Sequence, residues 1–167
     1  METFYGPGYT LKVMTTEEYI RDPRFEVNIC GFKVNDAPAF WLLPERLNDF
    51  IANEIDWADT TLICHHAQFD AAILSWHYGV RPAFIMDTIP MSRIVDGSKV
   101  AHDLGSLMER HGLGTKRHDV LRMAFGKHLA DFSRDELYWY GKYCTEDCEG
   151  TYKLAQFYLP QVTQLQL

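Results

Sequence analysis

Tyr143 and Asp147 stand four residues apart in the last long helical pattern of this chain, and a second carboxylate, Asp70, closes the string His65-His66-Ala67-Gln68-Phe69-Asp70. A four-residue step turns an α-helix by about 400°, so Tyr143 and Asp147 share a face one turn apart. Carboxylates and a phenol are the side chains that metal-assisted phosphodiester hydrolysis needs. The carboxylates hold Mg²⁺ or Mn²⁺, two such ions about 4 Å apart activate a water and neutralise the developing charge, and a hydroxyl orients the water. Each residue also has a structural alternative. An Asp in the first turn of a helix complements the helix dipole, and a lone Tyr-x-x-x-Asp is a core tyrosine beside a surface acid.

The elements that must position these groups are legible as local signals. Thr15-Thr16-Glu17-Glu18 is a capping-box start for a short helix that Pro23 ends. Phe25 to Val34 predicts a strand with a phase break near Gly31, Asn35-Asp36 a turn, and Ala39 to Leu43 its hairpin partner. From Pro44 the spacing of Leu47, Phe50, Ile51 and Ile55 is helical. Thr61 to Cys64 then reads as a buried strand. A helix over about Phe69 to His77 follows, stopped by Gly79, and puts Asp70 in its first turn. That is the crevice beyond a strand end where α/β proteins bind ligands.

Ala83 to Met86 predicts another buried strand ending at Asp87, which is assigned to a helix start rather than to a metal. Asp103 caps a helix with Leu104, Leu107 and Met108 on its apolar side, ended by Gly112. Gly114 to Phe132 is ambiguous, with basic residues, histidines and weak helical spacing. Ser133-Arg134-Asp135-Glu136 opens the final helix, expected to run to about Leu159 before Pro160. Strands first and then strand–helix alternation define an α/β architecture, a mixed sheet flanked by helices.

Composition narrows the class. A length of 167 residues suits one compact domain. A net charge of −7 argues against unspecific binding to duplex backbone, though an acidic pocket neutralised by divalent metal remains compatible with a nucleic-acid enzyme. The apolar runs are far below the roughly 20 residues that span a bilayer, and no secretory pattern opens the chain. Cys30, Cys64, Cys144 and Cys148 read as free thiols of a reducing compartment. Glu146 and Glu149 read as solvated helix-face charges, and His102, His111 and His118 as loop or helix-end residues.

Taken in order, Glu2-Thr3, His66-Ala67-Gln68-Phe69-Asp70, Asp87-Thr88 and Tyr143-Cys144-Thr145-Glu146-Asp147 resemble the DEDDy branch of the DnaQ-like 3′-to-5′ exonucleases. The likeness is greatest to proofreading exonuclease domains of phage or prophage family-A DNA polymerases, and it includes the run Met14 to Pro23. The resemblance covers nearly the whole chain. It implies a ribonuclease H-like fold and a site with two ions, Mg²⁺ or Mn²⁺. Glu2 and Asp147 would hold the metal that binds the nucleophilic water, Asp70 would support the second, and Tyr143 would position the water. Thr3, His66 and Phe69 would lie against the nucleic acid.

The expected partners are a single-stranded DNA 3′ end and a DNA polymerase on a separate polypeptide, in the cytoplasm of a bacterial or phage-infected cell. The family places an Asp two residues before the Glu, which falls just before Met1 here, so the first strand is expected to be incomplete and metal binding weakened. An Asn usual in the second block is His66. The alternative reading is an impaired remnant of the fold that binds nucleic acid or a polymerase without hydrolysis, and an RNA-trimming enzyme is a further one.

Overall fold

The computed structural model describes residues 1–116 and 119–165 of the chain. It is a mixed α/β protein whose chain divides into two compact units, Met1–Glu54 with Arg117–Glu146, and Ile55–Lys116 with Asp147–Leu167.

The first unit is built on a three-stranded antiparallel sheet in the order β1 (Glu2–Thr3), β2 (Val27–Phe32), β3 (Phe40–Leu42). Helix α1 (Thr16–Arg21) starts at the expected capping box. The Thr15 hydroxyl accepts from the Glu18 amide, and the Glu18 carboxylate accepts from the Thr15 amide at 2.8 Å. The hairpin of β2 and β3 forms as expected, pairing Cys30 with Leu42 and Phe32 with Phe40. Helix α2 (Pro44–Asn53) has Pro44 in its first turn and buries Leu47 and Ile51.

Two details of the strand reading are corrected. The ladder irregularity lies between Glu2 and Thr3 where β1 meets β2, not at Gly31. Strand β2 does not alternate either: Val27, Asn28, Ile29 and Cys30 are all buried, because the central strand of this sheet is covered on both faces.

The buried cluster of this unit joins Ile29 to Tyr140, Tyr143 and Cys144 of the long helix α7 (Arg134–Leu165) and to Val120 and Ala124 of α6 (Asp119–Ala124). Helix α6 falls in the ambiguous stretch, where the helical spacing is weak. Gly141 is what lets α7 come this close to the sheet, since a methyl there would lie 2.2 Å from the Trp41 ring. A rigid indole has nowhere to flex. Gly141→Ala is therefore expected to lower stability by about 1–2 kcal/mol, overpacking outweighing the gain of about 1 kcal/mol in helix propensity. Urea unfolding checks this, and Trp41→Leu should relieve the penalty in the double variant.

Helix α7 opens on the expected capping box, the Ser133 hydroxyl accepting from the Glu136 amide and Glu136 accepting from the Ser133 amide at 3.0 Å. The Lys127 ammonium, 2.5 Å away, and the Ser133 bonds hold the Glu136 carboxyl down at about 2. The helix does not end at Leu159 as expected but continues through Pro160 to Leu165. A proline in a helix removes one amide donor, so the Gln156 carbonyl one turn back loses its usual helical partner.

The second unit contains the parallel pair β4 (Thr61–Cys64) and β5 (Phe84–Asp87), joined through α3 (Ala67–Tyr78) in a βαβ crossover. Gly79 caps α3 in the left-handed region, φ 67°, as its sequence position predicts. Strand β5 is a correction: Phe84 and Ile85 are exposed, because in a two-stranded sheet an apolar run need not be covered on both sides.

Helices α4 (Thr88–Asp96) and α5 (Leu104–Arg110) complete the unit with the later part of α7. Leu104, Leu107 and Met108 of α5 pack on Leu154 and Tyr158, and burial of each large side chain contributes roughly 2 kcal/mol. Below them, the Tyr158 hydroxyl donates to Asp96 at 2.6 Å, and the His111 ring meets the same carboxylate oxygen at 3.0 Å. His111 thus sits at the end of α5, as expected, in a structural network. Among the described residues no helix is long and apolar enough to cross a membrane.

Candidate active site

Asp70 stands in the first turn of α3, one turn past the end of β4, as expected. What holds that turn is Asp87. Cys64 and Asp87 are register partners at the ends of the two parallel strands, so the Asp87 carboxylate faces the chain leaving β4. It accepts from three backbone amides: His66 at 3.1 Å, Ala67 at 2.8 Å and Ile89 at 2.9 Å. One side chain therefore caps α4 and also ties down the start of α3. The helix-start assignment of Asp87 agrees with this geometry, and its second task could not be read from spacing.

His66 is the N-cap of α3 with φ 79°, a left-handed conformation in which Asn, Asp and His are enriched. The backbone at this position suits an Asn as well as a His. The His66 ring is exposed and makes no capping bond, whereas Phe69 and Asp70 are half-buried.

His65 points the other way. Its Nδ1 lies 2.7 Å from the Thr88 hydroxyl, which itself donates to the Cys64 carbonyl. Burial pushes the His65 ring below its ordinary pKa and keeps it neutral. The Cys64 thiol is pushed far up by burial and by the Asp70 and Asp87 carboxylates, so it is no nucleophile. Cys148 of α7 also bears on the Cys64 thiol electrostatically. The four cysteines are free thiols, and three of them are buried.

Asp147 is half-buried on α7, and its Oδ2 accepts from the Lys116 ammonium at 2.7 Å. Sequence spacing gave no sign of Lys116, which lies 31 positions away in the ambiguous stretch. Glu146 and Glu149, expected to be solvated, are half-buried too.

In the first unit, Glu2 is half-buried on β1 opposite Ile29, and Ile29 packs in the same cluster as Tyr143. Tyr143 is itself buried. After burial, the Glu2 carboxylate is the largest influence raising the phenol of Tyr5, held at about 12, and that of Tyr140. Thr3, expected beside a nucleotide, is buried, and its hydroxyl meets that of Tyr19 at 2.7 Å. His102 bonds the Ser92 hydroxyl at 2.7 Å in a structural role, and His118 lies outside the described residues.

The donors suit Mg²⁺ or Mn²⁺ chemically, since carboxylate oxygens are the ligands hard divalent ions prefer. The Asp147 Oδ2 oxygen is already engaged by the Lys116 ammonium. Among the described residues no three His, Cys, Asp or Glu side chains gather as a ready metal cage. Compared with protein-family models, with curated proteins and with solved structures, the chain matches none.

Proposed function

We propose that this chain is a 3′-to-5′ exonuclease module on a ribonuclease H-like framework. It would remove nucleotides singly from the 3′ end of single-stranded DNA as the proofreading part serving a DNA polymerase on a separate polypeptide. The observation that carries the reading is the pairing of positions: Asp70 in the first turn after a parallel strand, and Asp147 half-buried on the long last helix, in the same compact unit. The resemblance in order of the four sequence blocks supports the same reading.

Bound Mg²⁺ or Mn²⁺ would supply an activated water and neutralise charge on the phosphate. Within the second unit Asp70 and Asp147 would hold it, while the metal-holding role of Glu2 and the water-orienting role of Tyr143, both in the first unit, rest on the sequence resemblance alone. Asp87 takes no metal in this scheme. It fixes the His66–Ala67 backbone so that Phe69 and Asp70 keep their places.

Asp147 neutralised from within the protein by Lys116 also suits a second reading, a module that binds single strands or a polymerase without cutting. A 5′-labelled single-stranded DNA incubated with Mn²⁺ separates the two. The exonuclease yields a ladder shortened one nucleotide at a time from the 3′ end. Retained binding of the strand with no shortening under Mg²⁺ or Mn²⁺ overturns it, and an RNA strand run alongside reports the sugar preference.

A further inference from the structure

The contact between Lys116 and Asp147 is built rather than incidental. Lysine side chains are mostly exposed, yet only 18% of the Lys116 side chain and 23% of the Asp147 side chain reach solvent. The segment leading to Lys116 is pinned from α5: the Leu113 amide bonds the Met108 carbonyl at 2.8 Å, and Leu113 packs against the buried cluster around Leu107.

The aliphatic stem of Lys116 then lies over Gly105, where an added methyl would stand 3.2 Å from the Lys116 Cβ. A buried glycine in α5 therefore leaves the space in which the stem rests. The stem is seated, and the ammonium ends 2.7 Å from Asp147 Oδ2. The charge also reaches the His65 ring, disfavouring its protonated form, so the ammonium belongs to the same corner as the end of β4.

We propose that Lys116 is a built-in counter-cation of Asp147 that competes with a divalent ion for that carboxylate and so sets the metal concentration at which the site fills. The inference rests on the reading of Asp147 as a metal ligand. An ion approaching Oδ2 must displace an ammonium already bonded there and then sit beside a like charge. Both costs vanish when the charge is removed. A competing cation of this kind keeps the acid paired when metal is scarce.

The test is Mn²⁺ binding to the full chain, read as loss of the free-ion signal in electron paramagnetic resonance, for the wild type, Lys116→Gln, Lys116→Met and Lys116→Arg. Thermal melts run in parallel. Lys116→Met keeps the apolar stem over Gly105, so it serves if Lys116→Gln folds poorly. Removing the charge is expected to tighten Mn²⁺ binding about tenfold or more, the scale of one unit charge a few ångström away at a partly exposed site. Lys116→Arg should stay near the wild type, and adding Asp147→Asn to Lys116→Gln should erase the gain.

Unchanged or weaker binding in both neutral variants, a gain that survives Asp147→Asn, or no Mn²⁺ binding by any variant overturns the proposal. Its fate is separable from that of the exonuclease reading. Tighter binding without strand shortening keeps the counter-cation and removes the nuclease, and shortening with unchanged affinity does the reverse.

Discussion

Asp147→Asn is expected to lower Mn²⁺-dependent shortening of a single strand by on the order of 10²-fold or more, with only a modest loss of stability. The amide has nearly the shape of the carboxylate but not its charge, so it cannot neutralise a divalent ion, and losing even a partner of a metal ligand commonly costs 10–100-fold. Folding should survive for two reasons. The Asn oxygen can still accept from Lys116, and with 18% and 23% of the two side chains in solvent water still reaches the ammonium, so the loss should be about 1–2 kcal/mol. The measurement is the rate of shortening at saturating Mn²⁺ beside a thermal melt. A rate within a few-fold of the wild type would remove Asp147 from the metal site, and a collapse of the melt would make it a structural residue instead.

The largest stability effect is expected at Asp87. Replacing it by Ala strands the amides of His66, Ala67 and Ile89, all of which now donate to one carboxylate. With a net contribution of about 1 kcal/mol for an ordinary bond, and more for a charged acceptor, the loss should be about 3 kcal/mol. It should also fall on particular amides. Hydrogen exchange ought to quicken at His66, Ala67 and Ile89 before the rest of the second unit responds, because the left-handed turn at His66 loses what holds it. Asp87→Asn retains one oxygen and should cost less than half as much. A cost under about 1 kcal/mol for Asp87→Ala would show that the strand ends position the start of α3 without it.

These two acids mark the limit of what local pattern can convey. The start of α7 was legible because a capping box is complete within four residues, Ser133 to Glu136, and the same holds for Thr15 to Glu18 at α1. Pro44 in a first turn, Gly79 at a left-handed cap and Asp103 before α5 are likewise choices made by one or two residues and their own backbone. The hairpin of β2 and β3 was legible for the same reason, its turn lying between its partners.

Asp70 in a first turn and Tyr143 and Asp147 on one helix followed from helical geometry alone. What those side chains touch did not. The exposure of Phe84 and Ile85 depends on how many strands flank β5, and the burial of both faces of β2 depends on what covers them. Passage of α7 through Pro160 runs against the local signal that a proline gives.

The sequence by itself determined where the capped helices and the β2–β3 hairpin begin and which acids could serve phosphodiester chemistry, because caps, turns and periodicity act over a few bonds. Only the tertiary structure decided that Asp87 serves two helix starts and that Asp147 already carries the ammonium of Lys116. The Asp87 bonds to the start of α3 span 20 and 21 positions and the ion pair 31, and the chain between folds for reasons of its own packing.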